Sequence, residues 1–261
     1  MFVRVLLALA LLAPLPALAD ALDAAIDAPL RAEKNRARDA FRHPGPMLGF
    51  FGVKPDSVVV EIDPGAGGYW TEILAPYLKE KGRYIAANPE PTSDEARSNA
   101  KGFADKVAAN PAAYGRVETS VFAADRFAIA SPGSADFVLT FRNLHNWMAK
   151  GEAEASLKAF FAALKPGGVL GVEDHRGLDA NPQDPLAKSG YVRQDYAIQL
   201  IEAAGFKFAG ASEANANPLD SKDYSVGVWA LPPTYRLKEV DRAKYQAIGE
   251  SDRFTLKFVK P

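Results

Sequence analysis

Val58-Val59-Val60-Glu61-Ile62-Asp63-Pro64-Gly65-Ala66-Gly67-Gly68-Tyr69-Trp70 joins a short β-branched run to a glycine-rich turn and the start of a helix. The run is apolar at every position except Glu61, the pattern of a strand covered on both faces in a parallel sheet. Glycines lack Cβ, so the turn can bend sharply and its backbone can approach a ligand closely. The helix that begins near Tyr69 adds free N–H groups and the positive end of its dipole. A unit of this kind predicts an α/β domain that binds a ligand at the turn.

Working outward, the helix runs to Lys79 with Ile73, Leu74 and Leu78 on its apolar side. A second strand starts after Gly82 and ends at Asn88-Pro89-Glu90. A polar helix is expected from Ser93 to Ala109, a third strand from Arg116 to Phe122 and a fourth from Asp136 to Phe141. Glu152 to Leu164 reads as a helix, and Lys165-Pro166-Gly167-Gly168 turns into a fifth strand, Val169 to Asp174. Tyr191 to Ala204 is helical again, followed by a strand from Phe206 to Ser212. Strand and helix alternate throughout, which predicts a doubly wound, Rossmann-like α/β sheet. The closing Arg253 to Phe258 alternates apolar and polar residues, as an antiparallel strand at a sheet edge with one wetter face would. Residues 214–251, rich in Asn, Pro and Asp with little periodicity, are expected as a long inserted loop over the ligand cleft.

Ahead of this domain, assigned to 56–261, lie two further segments. Residues 1–19 combine Arg4, an apolar run and Ala17-Leu18-Ala19, the pattern of a cleaved secretory signal. The run is short for a membrane span and is broken by Pro14 and Pro16. The expectation is an exported, periplasmic protein with no stable membrane insertion after cleavage. Residues 20–55 then read as one or two helices to Phe41 and a Pro/Gly-punctuated connector, whose Leu48, Phe50 and Phe51 would plug a surface hole. The chain has no cysteine, which excludes disulfides, thiolate metal sites and a lipid-bearing cysteine. Removing Arg4 with the signal leaves 30 basic and 32 acidic residues, a charge of −2 that makes no case for nucleic acid as partner.

Three ligand classes compete for the glycine turn. A phosphate loop needs Gly-Lys-Ser/Thr, which Gly67-Gly68-Tyr69 lacks. A dinucleotide fingerprint needs a third glycine where Trp70 stands. S-adenosylmethionine is suggested by an acid in the strand ahead of the glycines, and Glu61 fits. GVKPDSVVVEIDPGAGGYWTEIL (52–74) resembles the first motif of the class I S-adenosylmethionine-dependent methyltransferases. LKPGGVLGVED (164–174) is similar to their turn into the fifth strand, and the closing DRFTLKFVKP to their seventh. A narrower likeness, around EILAPYL, FRNLHNW and DHR, is to predicted methyltransferases carrying export signals. The resemblance implies a seven-stranded sheet with an antiparallel last strand. It also implies S-adenosylmethionine as cofactor, held by Glu61, Gly65 and Gly67 at the methionine and ribose end and by Asp125 on the adenine side. In two places the chain departs from the family. Asp63 stands where the family has the first glycine, and Asn88 where it has the ribose carboxylate, with Glu90 two residues on as a substitute.

In an open α/β sheet, residues just past the carboxyl ends of strands face the ligand cleft. Asp174 and His175 close strand five, and Arg142, Asn143 and His145 follow strand four. An imidazole suits proton abstraction from an acceptor, so His145 or His175 is the candidate base, with Asp174 as orienter or co-base. Arg142, Asn143 and Arg176 are candidates for holding a small-molecule acceptor, the arginines through a carboxylate or phosphate. His43 reads as a capping residue. Glu173, Asp174, His175 and His145 have acceptable metal-ligand chemistry, but three consecutive strand residues cannot converge on one ion, so no metal is expected. Tyr69, Trp70, Trp147 and Tyr191 are candidates for an aromatic wall or for core, and Trp229 for core. Two other readings remain: a methyltransferase fold that binds ligand without catalysis, and a hydrolase using Asp174 and His175.

Overall fold

Val58–Ile62 lies inside a seven-stranded sheet. The computed structural model of the chain describes residues 16–123 and 128–261, so most of the expected signal segment and Asp125 lie outside the described residues. The elements run α1 (Pro16–Ile26), α2 (Glu33–Arg36), α3 (Asp39–Arg42), α4 (Pro44–Phe51), β1 (Val58–Ile62), α5 (Thr71–Leu78), β2 (Arg83–Pro89), α6 (Asp94–Ala109), α7 (Pro111–Tyr114) and β3 (Glu118–Phe122). They continue with β4 (Ala135–Phe141), α8 (Leu144–Lys150), α9 (Ala153–Ala163), β5 (Leu164–His175), α10 (Gln194–Ala203), β6 (Lys207–Ser212), α11 (Arg242–Ile248) and β7 (Arg253–Val259). Among the described residues no helix is long and apolar enough to cross a membrane.

The sheet order is β3-β2-β1-β4-β5-β7-β6. β1 through β5 pair in parallel, and β7 runs antiparallel to both β5 and β6. This is the doubly wound, Rossmann-like arrangement, with the order reversing between β1 and β4. Strand side chains alternate, so β1 sends Val60 and Ile62 into one core layer and Val59 into the other. Glu61 shares the face of Val59 and therefore points beneath α5.

Three expectations are corrected. The closing strand is not at the edge, because β6 lies outside it. Its polar positions are accordingly not wet: Arg253 and Thr255 are buried, and Lys257 reaches the carbonyl of Phe50 at 3.2 Å. Residues 44–51, expected as connector, are the helix α4. Pro44 occupies its first turn, where a missing N–H costs nothing, and Gly52 closes it in the left-handed conformation at φ 88°. Its Met47, Leu48 and Phe51 are buried against the sheet, so the apolar plug is helical. Finally, 214–251 has a small core of its own, in which Ala230, Leu231 and Tyr245 are buried together.

The N-terminal helices brace the glycine turn. Asn35 donates to the Gly67 carbonyl at 3.1 Å, and the Tyr69 hydroxyl donates to Asp39 at 2.5 Å. Arg31 holds that same Asp39 through two nitrogens at 2.7 Å. A segment that reads as an appendage is therefore a wall of the domain.

Candidate functional site

At the end of β1, Asp63 adopts φ 51°, the left-handed region. That explains the departure noted in the sequence: the backbone keeps a conformation that favours glycine, and a short polar side chain tolerates it at about 1 kcal/mol. Burial raises the Asp63 carboxyl above its usual range, while the Gly65 N–H it accepts pulls it back down. Gly65 itself stands at φ 65°.

Glu61 is placed differently from expectation. It is 2 % exposed and borders none of the three cavities that Asp63 lines. Its carboxyl receives the Tyr84 hydroxyl at 2.5 Å, and that hydroxyl also pairs with Thr71 Oγ1 at 2.7 Å. Burial pushes it up to about 8. Glu61 thus ties β1 to β2 and α5, under the turn rather than in the cleft.

Three cavities meet at Asp63. One of about 150 Å³ lies along Gly65, Asn88 and Asn99. Asn88 turns its amide nitrogen back to the Ala86 carbonyl at 3.2 Å. A second, of about 670 Å³, is lined by Glu90, Glu95, Trp147 and Lys150. The third, of about 340 Å³, is lined by Arg142, His145, His175, Trp229 and Ser251. Asp63, Asn143 and Asn146 belong to both of the larger ones. Gly67 borders none of the three; its carbonyl faces Asn35.

The third cavity gathers the strand-end residues. Asn143 donates to the Ile62 carbonyl at 3.1 Å, fastening the end of β4 to that of β1. One residue into α8, the backbone N–H of His145 is among those a helix start leaves without an internal partner, and Asp174 Oδ2 accepts it at 3.0 Å. Asp174 Oδ1 stands 2.8 Å from His145 Nδ1 and also accepts the His175 N–H at 2.7 Å. A neutral His145 that donates from Nδ1 keeps its lone pair on Nε2, the form a general base requires. The His175 Nδ1 stands 2.5 Å from Ser251 Oγ, and its ring centre lies 5.1 Å from that of His145. Burial, with His145 and the nearby arginines, holds the His175 imidazole well below its usual range, so it is neutral at neutral pH.

These contacts separate two pairs, His145–Asp174 and His175–Ser251. A serine hydrolase needs one imidazole between acid and nucleophile, and here each histidine has only one of them. One atom each from His145, Asp174 and His175 lie within 4.8 Å of one another, because His145 comes from α8. The objection from consecutive strand residues therefore does not apply to this trio.

Behind the cavity lies a charged cluster that strand-end reasoning missed. Glu250 accepts from Arg38 at 2.6 Å and pairs with Arg253 at 3.0 Å, and Arg253 also reaches Glu173 at 3.0 Å. Burial works against ionising Glu250, yet Arg253, Arg38 and Arg42 hold its carboxyl down at about 2. Arg142, at φ 63°, is pulled below its usual range by burial. Arg176 is turned away from the cavity, pairing with Glu213 at 2.7 Å and donating to the Arg253 carbonyl at 3.2 Å. His43 braces the structure, with Nδ1 3.2 Å from Asn215. Trp229 is a correction: it is half-buried at the cavity wall, 6.2 Å from the His145 ring, with Arg236 over its other side. Trp70 stacks on Phe141 in the core, and Tyr191 donates to Asp220 at 2.9 Å, so of the aromatic candidates Trp147 and Trp229 line the two larger cavities, beside Phe122 and Phe141. The signal for the cluster was charge at the ends of otherwise apolar elements, Arg42 before Pro44 and Glu250 before the final strand.

No protein-family model matches the sequence, and no curated protein matches it. Solved structures do. An S-adenosylmethionine-dependent methyltransferase from Aquifex aeolicus superposes with a TM-score of 0.57 at 17% identity, over 93% of this chain and 98% of that one. This chain has the class I methyltransferase fold. A Haemonchus contortus phosphoethanolamine N-methyltransferase, solved with S-adenosylmethionine, matches it at 0.53 and 15% identity over 83% of this chain and 51% of that one. The [4+2]-cyclase SpnF matches at 0.55 and 14% identity over 87% of this chain and 80% of that one. A cyclase among the methyltransferase folds shows that the fold admits more than one chemistry.

Proposed function

We propose that the protein is an S-adenosylmethionine-dependent methyltransferase acting on a small-molecule acceptor. The observation that carries this reading is the pair of cavities, about 670 and 340 Å³, sharing Asp63, Asn143 and Asn146 as a common wall. Each falls in the range of small-molecule sites, and they lie at the strand ends where such sheets bind ligands. Asp63, Glu90 and Glu95 around the larger cavity suit a cofactor bearing a sulfonium and an ammonium group. In this reading Asp63 and Gly65 hold its methionine end, Asn88 and Glu90 its ribose, and Asp125 its adenine. When bound, the cofactor supplies an electrophilic methyl group. The acceptor occupies the smaller cavity, where Asn143 and Asn146 orient it and His145 Nε2 takes up its proton. Asp174 fixes the tautomer, and Trp229, Pro232 and Pro233 of the inserted loop exclude water.

We propose also that residues 1–19 are removed and the protein works outside the cytoplasm. Arg4, the apolar run after it and the small residues Ala17 and Ala19 support this reading. Amino-terminal sequencing of protein from the envelope fraction tests this; a start at Met1 refutes it. Calorimetry with S-adenosylmethionine and S-adenosylhomocysteine tests the activity, and absence of heat at millimolar ligand rejects it. Binding without methyl transfer to any component of a cell extract would make the protein a ligand-binding relative of the methyltransferases.

A further inference from the structure

Among the described residues, the wall between the smaller cavity and the N-terminal helices holds more guanidinium groups than carboxylates. Four guanidinium groups, those of Arg38, Arg42, Arg142 and Arg253, surround two carboxylates, Glu173 and Glu250. Arg42 is only 3 % exposed, and its Nε stands 3.8 Å from Glu250, beyond hydrogen-bond reach. Its Nε and Nη2, the Nε of Arg142 and of Arg253, and the Nη2 of Arg38 are all buried with no hydrogen-bond partner. The indole N–H of Trp70, whose ring stacks on Phe141 beside Arg142, is buried without a partner as well. Native interiors rarely leave one such donor unsatisfied, and of this group Arg142 is the one whose side chain an acceptor arriving with a ligand can meet. Arg142 itself lines that cavity, and among the described residues its guanidinium forms no ion pair within 4.0 Å.

We infer that the ligand of the smaller cavity is an oxyanion, a small molecule whose carboxylate or phosphate group Arg142 receives, with Arg42 of the N-terminal extension placed behind it as a second positive charge. Planar guanidinium groups suit both anions. A divalent metal at His145, Asp174 and His175 is the competing occupant. It would add positive charge beside four arginines, and Asp174 is already engaged by the His145 backbone N–H and Nδ1 and by the His175 N–H. The description of this anion as the methyl acceptor rests on the proposed function, but the anion site does not.

The test is calorimetry on the purified protein with sodium phosphate and with sodium benzoate, at an ionic strength held constant with sodium chloride. At least one should bind at a single saturable site in the millimolar range or tighter. If both bind, they should compete, and whichever binds identifies the acid group. Arg142→Gln should weaken binding at least tenfold, whereas Arg142→Lys, which keeps the charge but not the planar fork, should lose less than Arg142→Gln. The inference is overturned if neither anion gives a saturable heat above the chloride control, or if Arg142→Gln binds as tightly as the parent. A tight, chelator-reversible zinc site lost in His175→Ala would overturn it too. Should Arg142→Gln not fold, phenylglyoxal modification of the parent, mapped by mass spectrometry, decides: the bound anion must shield Arg142, and an unchanged rate of modification refutes the site. Anion binding without heat from S-adenosylhomocysteine removes the methyltransferase reading alone, and the converse removes the anion site alone.

Discussion

Replacing Glu61 by glutamine should flatten the dependence of stability on pH. The carboxyl is 2 % exposed and is held by the Tyr84 hydroxyl at 2.5 Å. Burial raises it from 4.5 to about 8, with the nearby Asp63 adding to the rise and the Tyr84 hydrogen bond opposing it. The folded chain therefore binds this proton more tightly than the unfolded chain does. The stabilisation is fully present below pH 4.5 and is lost as pH rises toward 8. At about 1.4 kcal/mol per unit, the whole difference amounts to roughly 5 kcal/mol, of which about 3.5 falls between pH 5 and pH 8. Glutamine stays neutral, and its amide oxygen still accepts from Tyr84. Urea unfolding followed by tryptophan fluorescence, at intervals from pH 5 to 8.5, measures the difference. The variant should match the parent within about 1 kcal/mol at pH 5 and exceed it by roughly 4 kcal/mol at pH 8. Parallel stability curves over that range would refute the assignment of a buried, largely protonated Glu61. Because Glu61 borders none of the three cavities, the same variant should leave S-adenosylhomocysteine affinity within about threefold.

Glu250→Gln should act in the opposite direction, since its carboxyl is lowered from 4.5 to about 2. Its contribution is present above pH 4.5 and lost as pH falls toward 2, so the variant should be roughly 3 kcal/mol less stable than the parent at pH 7 and nearly equal to it at pH 2 by urea titration. Gly171→Ala would put a methyl group 2.7 Å from Leu139 Cδ2 and 2.9 Å from the Phe51 ring, where α4 meets β5. Overpacking there should remove about 1–3 kcal/mol, read as a lower Tm. If methyl transfer is found, His145→Ala should keep cofactor affinity and reduce kcat by about a hundredfold or more. An equal loss in affinity would show that His145 holds the cofactor instead.

The fold was legible because local signals agreed with the global pattern. An apolar run ending in a glycine turn specifies a buried parallel strand, and its repetition specifies the doubly wound sheet. The site was legible only as far as strand ends go. His145, Asp174 and His175 converge because they lie at the carboxyl end of β5 or just past that of β4, a rule that needs no side-chain detail. Arg176 fits the same rule and fails it, since a one-residue step along the backbone turns it toward Glu213. Glu61 misled for a related reason: the alternation that puts Val60 in one core layer puts Glu61 under α5, and a motif position does not say which face it takes. Arg42 and Glu250 stood out only as charges at element ends, and their pairing is tertiary. Alternation in β7 suggested a wet face, but α4 covers it, and no local pattern reports which helix will lie there.

The arginine cluster has a consequence for the order in which the chain is made. Phe41 offers its carbonyl to Arg253 at 2.5 Å, and Arg38 pairs with Glu250, each across 212 residues. Contacts of such long separation close late and slow folding. A growing chain that has not yet reached β7 can already rest its first helices on the glycine turn through Asn35 and Asp39, but Arg38 still lacks the Glu250 carboxylate that it pairs with. The wall beside the glycine turn is thus completed only when β7 arrives, and a ribosome-bound fragment ending before residue 250 should leave the Arg38–Arg42 segment more open to protease than the full chain does, while β1 to β4 already pair.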